Sequence, residues 1–252
     1  MRYKTLIYQK TDVVIMVSLN RPAVDNAINL RLAEELADVC TDIKRDEEAR
    51  VIIITGVGDK AFSVGVDLKE FPLHVAEPPS VAVSVASLKI PVIAAINGDA
   101  LGQGLELALA CDLRIAVETA RFALNHVDLG HIPWDGATQR LPRLVGVVKA
   151  MEMLLTGQHI DATEGWQIGL IHEVVSRQEL IPVVTEMAQV IASKSPLAVR
   201  YAKEAICDGL DMTLEQGLHL EADLYCLLQT TEDRTEGIKA FLEKKAPKFT
   251  GK

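Results

Sequence analysis

Aromatic side chains are scarce in this 252-residue chain: 4% of residues are Phe, Trp or Tyr, although 49% are hydrophobic. Its core must therefore be packed from Val, Ile, Leu and Ala. Basic runs are absent, and the formal net charge is −9. That balance disfavours a nucleic-acid surface, while leaving room for a local positive patch that receives a phosphorylated ligand. No apolar run reaches the roughly 20 residues that cross a bilayer. The first residues, MRYKTLIYQK, lack the apolar region of a secretory signal. A cytoplasmic protein with no membrane partner is the expectation. Cys40, Cys111, Cys207 and Cys226 show no CxxC spacing, which reads as reduced, buried thiols. A chain of this length fits one domain, or one domain with a small appendage.

The hydrophobic pattern then divides the chain. Leu6 to Tyr8 and Val13 to Leu19 read as strands around a turn at Lys10-Thr11-Asp12. Leu30 to Arg45 carries Leu32, Leu36, Val39 and Ile43 at helical spacing, with Asn29 placed to cap it. Val51 to Thr55, Val92 to Ile96 and Leu113 to Val117 are short continuous apolar runs, the mark of parallel strands buried on both faces. Strands alternating with helices predict an α/β fold of βαβ units. From about Ala150 the pattern turns mostly helical, over Val147–Leu155, Ala162–Gln167, Gln178–Ala192, Pro196–Cys207, Leu214–Leu228 and Arg234–Glu243. Ser195-Pro196 suits a boundary, since proline fits a first helical turn. It divides a core (1–195) from a C-terminal helical region (196–252).

The chemistry concentrates in Pro91 to Leu141, PVIAAINGDALGQGLELALACDLRIAVETARFALNHVDLGHIPWDGATQRL. A glycine turn opening a helix aims backbone N–H groups at one point, and the helix N-terminus adds positive potential there. Such a point can hold an oxyanion. The following loop carries His126, His131 and Asp135, groups able to move protons. An oxyanion hole beside acid–base side chains is the minimum equipment for chemistry at a carbonyl. Plainer readings stand beside this one. Asp135 also fits as a cap for a helix beginning near Gly136; Glu106 fits a salt bridge at a helix start, and His126 a hydrogen-bonding loop residue. His131 and Trp134 are secondary candidates, and Asp128 reads as structural. No metal is expected, because these loop residues lack a recognised ligand pattern.

With KAFSVGVDL (Lys60 to Leu68), this segment resembles the crotonase superfamily, the enoyl-CoA hydratase/isomerase fold. Arg21-Pro22 with Asn26-Ala27, VIIITG at Val51, LTG at Leu155 and EGIKAFLEKKAP at Glu236 extend the likeness over nearly the whole chain. The resemblance implies a spiral of ββα turns. It also implies a C-terminal helical region that packs against other copies of the chain, in a trimer or a dimer of trimers. It makes the backbone amides of Val66 and Gln103 the oxyanion hole, with Gln103 where the family commonly has glycine. Glu106 matches the first of two catalytic glutamates, and His126 stands where the second would be.

His126 and Asp135, nine positions apart, also resemble the 6-oxocamphor hydrolase branch, which cleaves β-diketones. There a dyad activates water, and the C–C bond breaks to leave an enolate. That reaction, on a β-dicarbonyl or acyl-CoA, is the first expectation. Hydration or isomerisation of an enoyl-CoA is the alternative, and a non-catalytic oligomeric binding protein is a third. Phe241 and Lys244 match positions that contact coenzyme A, but Asp25 stands near where a basic residue is usual. Coenzyme A is expected only as part of the substrate, and no separate cofactor. Phe71-Pro72 and Pro78-Pro79 confine any helix before Pro91 to the second half of that stretch, which implies a reshaped pocket wall.

Overall fold

The computed structural model describes residues 3–70 and 79–252. The chain opens with a hairpin of β1 (Leu6–Thr11) and β2 (Val14–Leu19), turned at Asp12, which adopts a left-handed φ of 53°. Next comes α1 (Leu30–Arg45). Leu32, Leu36, Val39, Cys40 and Ile43 form its buried stripe, and Asn29 caps it by accepting from the Leu32 N–H at 2.9 Å.

A module then repeats. A buried strand enters the main sheet, a three-residue strand enters a second sheet, and a helix or turn follows. The first module is β3 (Val51–Gly56), β4 (Ala61–Ser63) and α2 (Ala82–Ala86). The second is β5 (Val92–Ile96), β6 (Asp99–Leu101) and α3 (Gln103–Leu109). The third is β7 (Leu113–Val117) and β8 (Arg121–Ala123), followed by a 3-10 turn at Asn125–Leu129. After it come α4 (Ala137–Val145), α5 (Val147–Thr156), β9 (Ile160–Asp161), α6 (Ala162–Gln167), β10 (Glu173–Val175) and α7 (Leu180–Ala192). Among the described residues the main sheet has the order β1-β2-β3-β5-β7-β10 and the second sheet β4-β6-β8-β9. From β2 onward the main sheet is parallel. Its central strands run through a core of Ile, Val and Ala, with α7 packed across β3, β5 and β7. This is the α/β spiral of ββα turns that the resemblance implies.

Three helices close the chain: α8 (Pro196–Gly209), α9 (Leu214–Leu228) and α10 (Glu232–Leu242). They are fastened to the core by polar contacts. Asp233, 2% exposed, accepts from Ser195 Oγ at 2.9 Å and from the Thr250 N–H at 2.7 Å. Arg50 donates to the Ala192 and Phe249 carbonyls at 2.8 and 2.9 Å. Few apolar side chains of α8 to α10 are buried, Leu224 and Ala240 among them.

The region beyond Ala150 is mostly helical, as expected, with the short strands β9 and β10 set within it. The cysteine expectation needs correction. Cys40 and Cys111 are buried, and burial pushes their thiols up to about 12, but Cys207 and Cys226 are exposed. The proline argument holds where it can be examined: α2 occupies the second half of its stretch. The rest of the expected wall, residues 71–78, lies outside the described residues.

Glu35 on α1 ties the chain start to the core. Burial pushes its carboxyl up, but the Thr5 hydroxyl and amide, Arg31 and the Lys4 amide outweigh that and hold it at about 2. A carboxyl depressed on folding contributes stability that is present above its unfolded value and lost as pH falls through the folded one. Urea unfolding of Glu35→Gln should show a loss on the order of 2 kcal/mol at pH 7. The variant's stability should also fall less steeply than the parent's between pH 5 and pH 2. Parallel acid limbs would contradict this role.

Candidate active site

Two modules of the spiral touch at one point. Gly104, in the first turn of α3, lies against the end of β4, where a Cβ would fall 2.2 Å from the Ser63 carbonyl oxygen. Gly65 (φ 90°) faces the start of α3, and a Cβ on it would stand 3.1 Å from the Gln103 nitrogen. Val66 is the next residue, so the Val66 and Gln103 amides are neighbours. Among the described residues neither N–H donates to any acceptor. The Gln103 amide is orphaned because it opens a helix; the Val66 amide falls between the two bonds of a bridge to Ile28. Unpartnered N–H groups that converge on one point are the kind of donor a developing oxyanion can use.

The Asn26 motif braces this point from behind. Asn26 donates to the Val57 and Ala61 carbonyls at 3.0 and 2.9 Å, and its own carbonyl accepts from Ser63 Oγ at 2.8 Å. Arg21 pairs with Asp67, next to Val66, at 2.9 Å.

Glu106 sits one turn into α3 and is fully buried. Its Oε1 accepts from the Asp135 and Ala137 N–H groups at 2.9 and 3.0 Å. Its Oε2 has no hydrogen-bond partner. The nearest ionisable group is His126, on the 3-10 turn, whose Nε2 stands 3.4 Å away. That separation is within ion-pair reach but lacks hydrogen-bond geometry, and His126 Nδ1 is also buried and unpartnered. The imidazole lies beside Gly102, whose Cβ position would be 3.9 Å from Nε2. The structure thus brings the Glu106–His126 pair and the two free amides to the same end of α3.

It does not bring His126 to Asp135. Asp135 Oδ1 accepts from Ser80 Oγ, and Oδ2 accepts from the Val81 and Ala82 N–H groups at 2.8 and 3.0 Å and from Gln103 Nε2 at 3.1 Å. No hydrogen bond joins His126 to Asp135, so the expected dyad is not formed. The expected cap of α4 is not formed either: Gly136 occupies that position without a side-chain cap. Asp135 caps α2 instead. Ser80 is the polar residue that sequence reasoning passed over, although a serine just before an apolar run is itself a helix-start signal.

The remaining candidates lie further out. His131 is exposed, with its ring edge-on to His126 at 5.3 Å between centroids. Trp134 is half-exposed beside Asp135. Asp128 is exposed, next to Gly157. Phe241 and Lys244 stand exposed at the C-terminal end of α10, on a different element from the hole. Among the described residues no cluster of His, Cys, Asp and Glu is arranged to hold a metal ion. None of the described helices is long and apolar enough to cross a membrane.

Comparison with known proteins places the chain in a family. The family model described as enoyl-CoA hydratase/isomerase matches residues 9–252. The crotonyl-CoA hydratase of Syntrophomonas wolfei is 40% identical over 263 residues, covering 100% of both chains. The (E)-benzylidenesuccinyl-CoA hydratase of Thauera aromatica is 40% identical over 94% of this chain and 96% of its own. A crystal structure of an enoyl-CoA hydratase from Bacillus anthracis superposes with a TM-score of 0.94 at 42% identity, over 99% of this chain and 100% of that one. The chain belongs to the enoyl-CoA hydratase/isomerase family, within the crotonase superfamily.

Proposed function

We propose that the protein adds water reversibly across the double bond of a 2-enoyl-CoA thioester. The observation that carries this reading is the buried, unpartnered Glu106 Oε2 facing His126 beside two free amides. The thioester oxygen would accept from the Val66 and Gln103 N–H groups. A water would bridge Glu106 Oε2 and His126 Nε2 from one side, about 2.8 Å from each. Glu106, with His126, takes a proton from that water as its oxygen bonds C3. The electron pair of the double bond moves onto the thioester oxygen, and the resulting enolate rests in the hole. The proton then returns to C2. Each amide of such a hole contributes on the order of 3 kcal/mol to the transition state. A neutral imidazole offers one donor and one acceptor, so it can take a second water-holding position.

Cleavage of a C–C bond is the weaker reading. It called for Asp135 to orient His126, and the Asp135 carboxylate is committed to Ser80, α2 and Gln103. Both curated relatives described above are named as hydratases of CoA thioesters. A purely binding role is disfavoured by how Glu106 and His126 face one another beside Gly102. Phe241 and Lys244 are our candidates for the coenzyme A handle.

The reading is tested by loss of enoyl absorbance with crotonyl-CoA. Wild type should turn over. Glu106→Gln should lose about 100-fold or more in kcat, and His126→Ala about 10-fold to 100-fold. Cleavage of a β-diketone with no hydration of crotonyl-CoA would overturn it.

We also infer self-association into a trimer or a dimer of trimers. Val147, Val148 and Leu155 on α5, and Leu214, Leu218 and Tyr225 on α9, are exposed apolar residues, the kind of surface that another copy covers. Light scattering at micromolar concentration should give three or six times the chain mass. A monomer would contradict the inference.

A further inference from the structure

We propose that Asp135 is a positioning residue: with Gln103 it forms a clasp that holds the oxyanion-hole amide and the Glu106 carboxylate in one frame. The proposal rests on the hydratase reading and deepens it. Asp135 is 2% exposed and Gln103 1%. Four donors converge on the Asp135 carboxylate: Ser80 Oγ, the Val81 and Ala82 amides, and Gln103 Nε2. A carboxylate has about four acceptor sites. Three of the donors fall on Oδ2 and one on Oδ1, so both oxygens are engaged in the clasp, and no hydrogen bond joins either to His126.

The orientation of the Gln103 amide is fixed by its partners. Nε2 faces two acceptors, Asp135 Oδ2 and the Pro79 carbonyl. Turning the amide over would set oxygen against oxygen at both contacts. Its Oε1 is consequently buried with no partner. The side chain is held from one side only, by Asp135 and Pro79, while the backbone N–H of the same residue is half of the hole. Asp135 also donates its own N–H to Glu106 Oε1 at 2.9 Å. One residue therefore sets the hole donor through its side chain and the candidate acid–base group through its backbone. It ties both to the start of α2.

Asparagine keeps the Asp135 N–H but turns one acceptor into a donor facing Gln103 or Ser80. Leucine at Gln103 removes the other half of the clasp and keeps the hole amide. Cinnamoyl-CoA serves as the probe, because its conjugated thioester absorbs at longer wavelength when its carbonyl is polarised. Bound to wild type it should show that shift. Asp135→Asn and Gln103→Leu should each bind it with nearly unchanged affinity, show a smaller shift, and lose about 10-fold in kcat with little change in KM. The double variant should be no worse than the poorer single one, because the two residues act as a unit.

Gln103→Leu with full shift and full kcat overturns the clasp, and decides the matter alone if Asp135→Asn does not fold. Loss of turnover in Asp135→Asn with the shift intact also overturns it and points to proton transfer. If wild type binds cinnamoyl-CoA without shift or hydration, the hydratase reading fails, and amide hydrogen exchange still tests the clasp. Asp135→Asn should then speed exchange both at 80–83 and in the first turn of α3. Faster exchange at 80–83 alone would overturn the coupling.

Discussion

The contact of Gly104 with the Ser63 carbonyl is the constraint on which the site depends. No side chain fits there, since a Cβ would fall 2.2 Å from the oxygen. The contact joins two successive turns of the spiral without a gap. It brings the loop after β4 against the N-terminus of α3, and so makes neighbours of two amides that neither segment satisfies by itself. Buried N–H groups without partners are costly. Gln103 is buried and its N–H has no partner among the described residues; in the proposed reaction the thioester oxygen would relieve that cost. Preorganised donors need no rearrangement as charge develops, which is the main source of their effect.

Around that fixed point the polar groups divide their work. Glu106 uses one oxygen to hold the loop, through the Asp135 and Ala137 amides, and leaves the other free. His126 faces the free oxygen. Asp135, also a buried acid, has no free oxygen at all. Under the proposed reaction, the carboxylate with a free oxygen is the one suited to proton transfer, and the other to architecture. The difference is the number of donors each receives, not the chemistry of the side chain.

The sequence makes the long elements legible. The stripe of α1, its Asn29 cap and the continuous apolar runs of β3, β5 and β7 each span enough residues to show a period or a composition. The second sheet is not legible in that way. β4, β6 and β8 have three residues each, too few for alternation to emerge, and their pairing is set by the spiral. Val66, Gln103, Glu106 and His126 stand out in the sequence through the motifs that carry the family resemblance. The partner of Asp135 was not. A carboxylate capping a helix was the right chemistry, but the helix lies 53 to 55 residues earlier in the chain. Spacing along a loop suggested His126 or α4 as partner. Only the packing of α2 against α3 reveals the donors that win.

The central claim is that water adds to a conjugated thioester whose oxygen is held by Val66 and Gln103. Mass spectrometry of the product formed from crotonyl-CoA in water enriched in oxygen-18 tests it most directly. The account predicts an intact four-carbon acyl-CoA carrying one labelled oxygen at C3. A shortened product with the label in a new carboxylate, or an acyl-CoA that takes up no label, would contradict it.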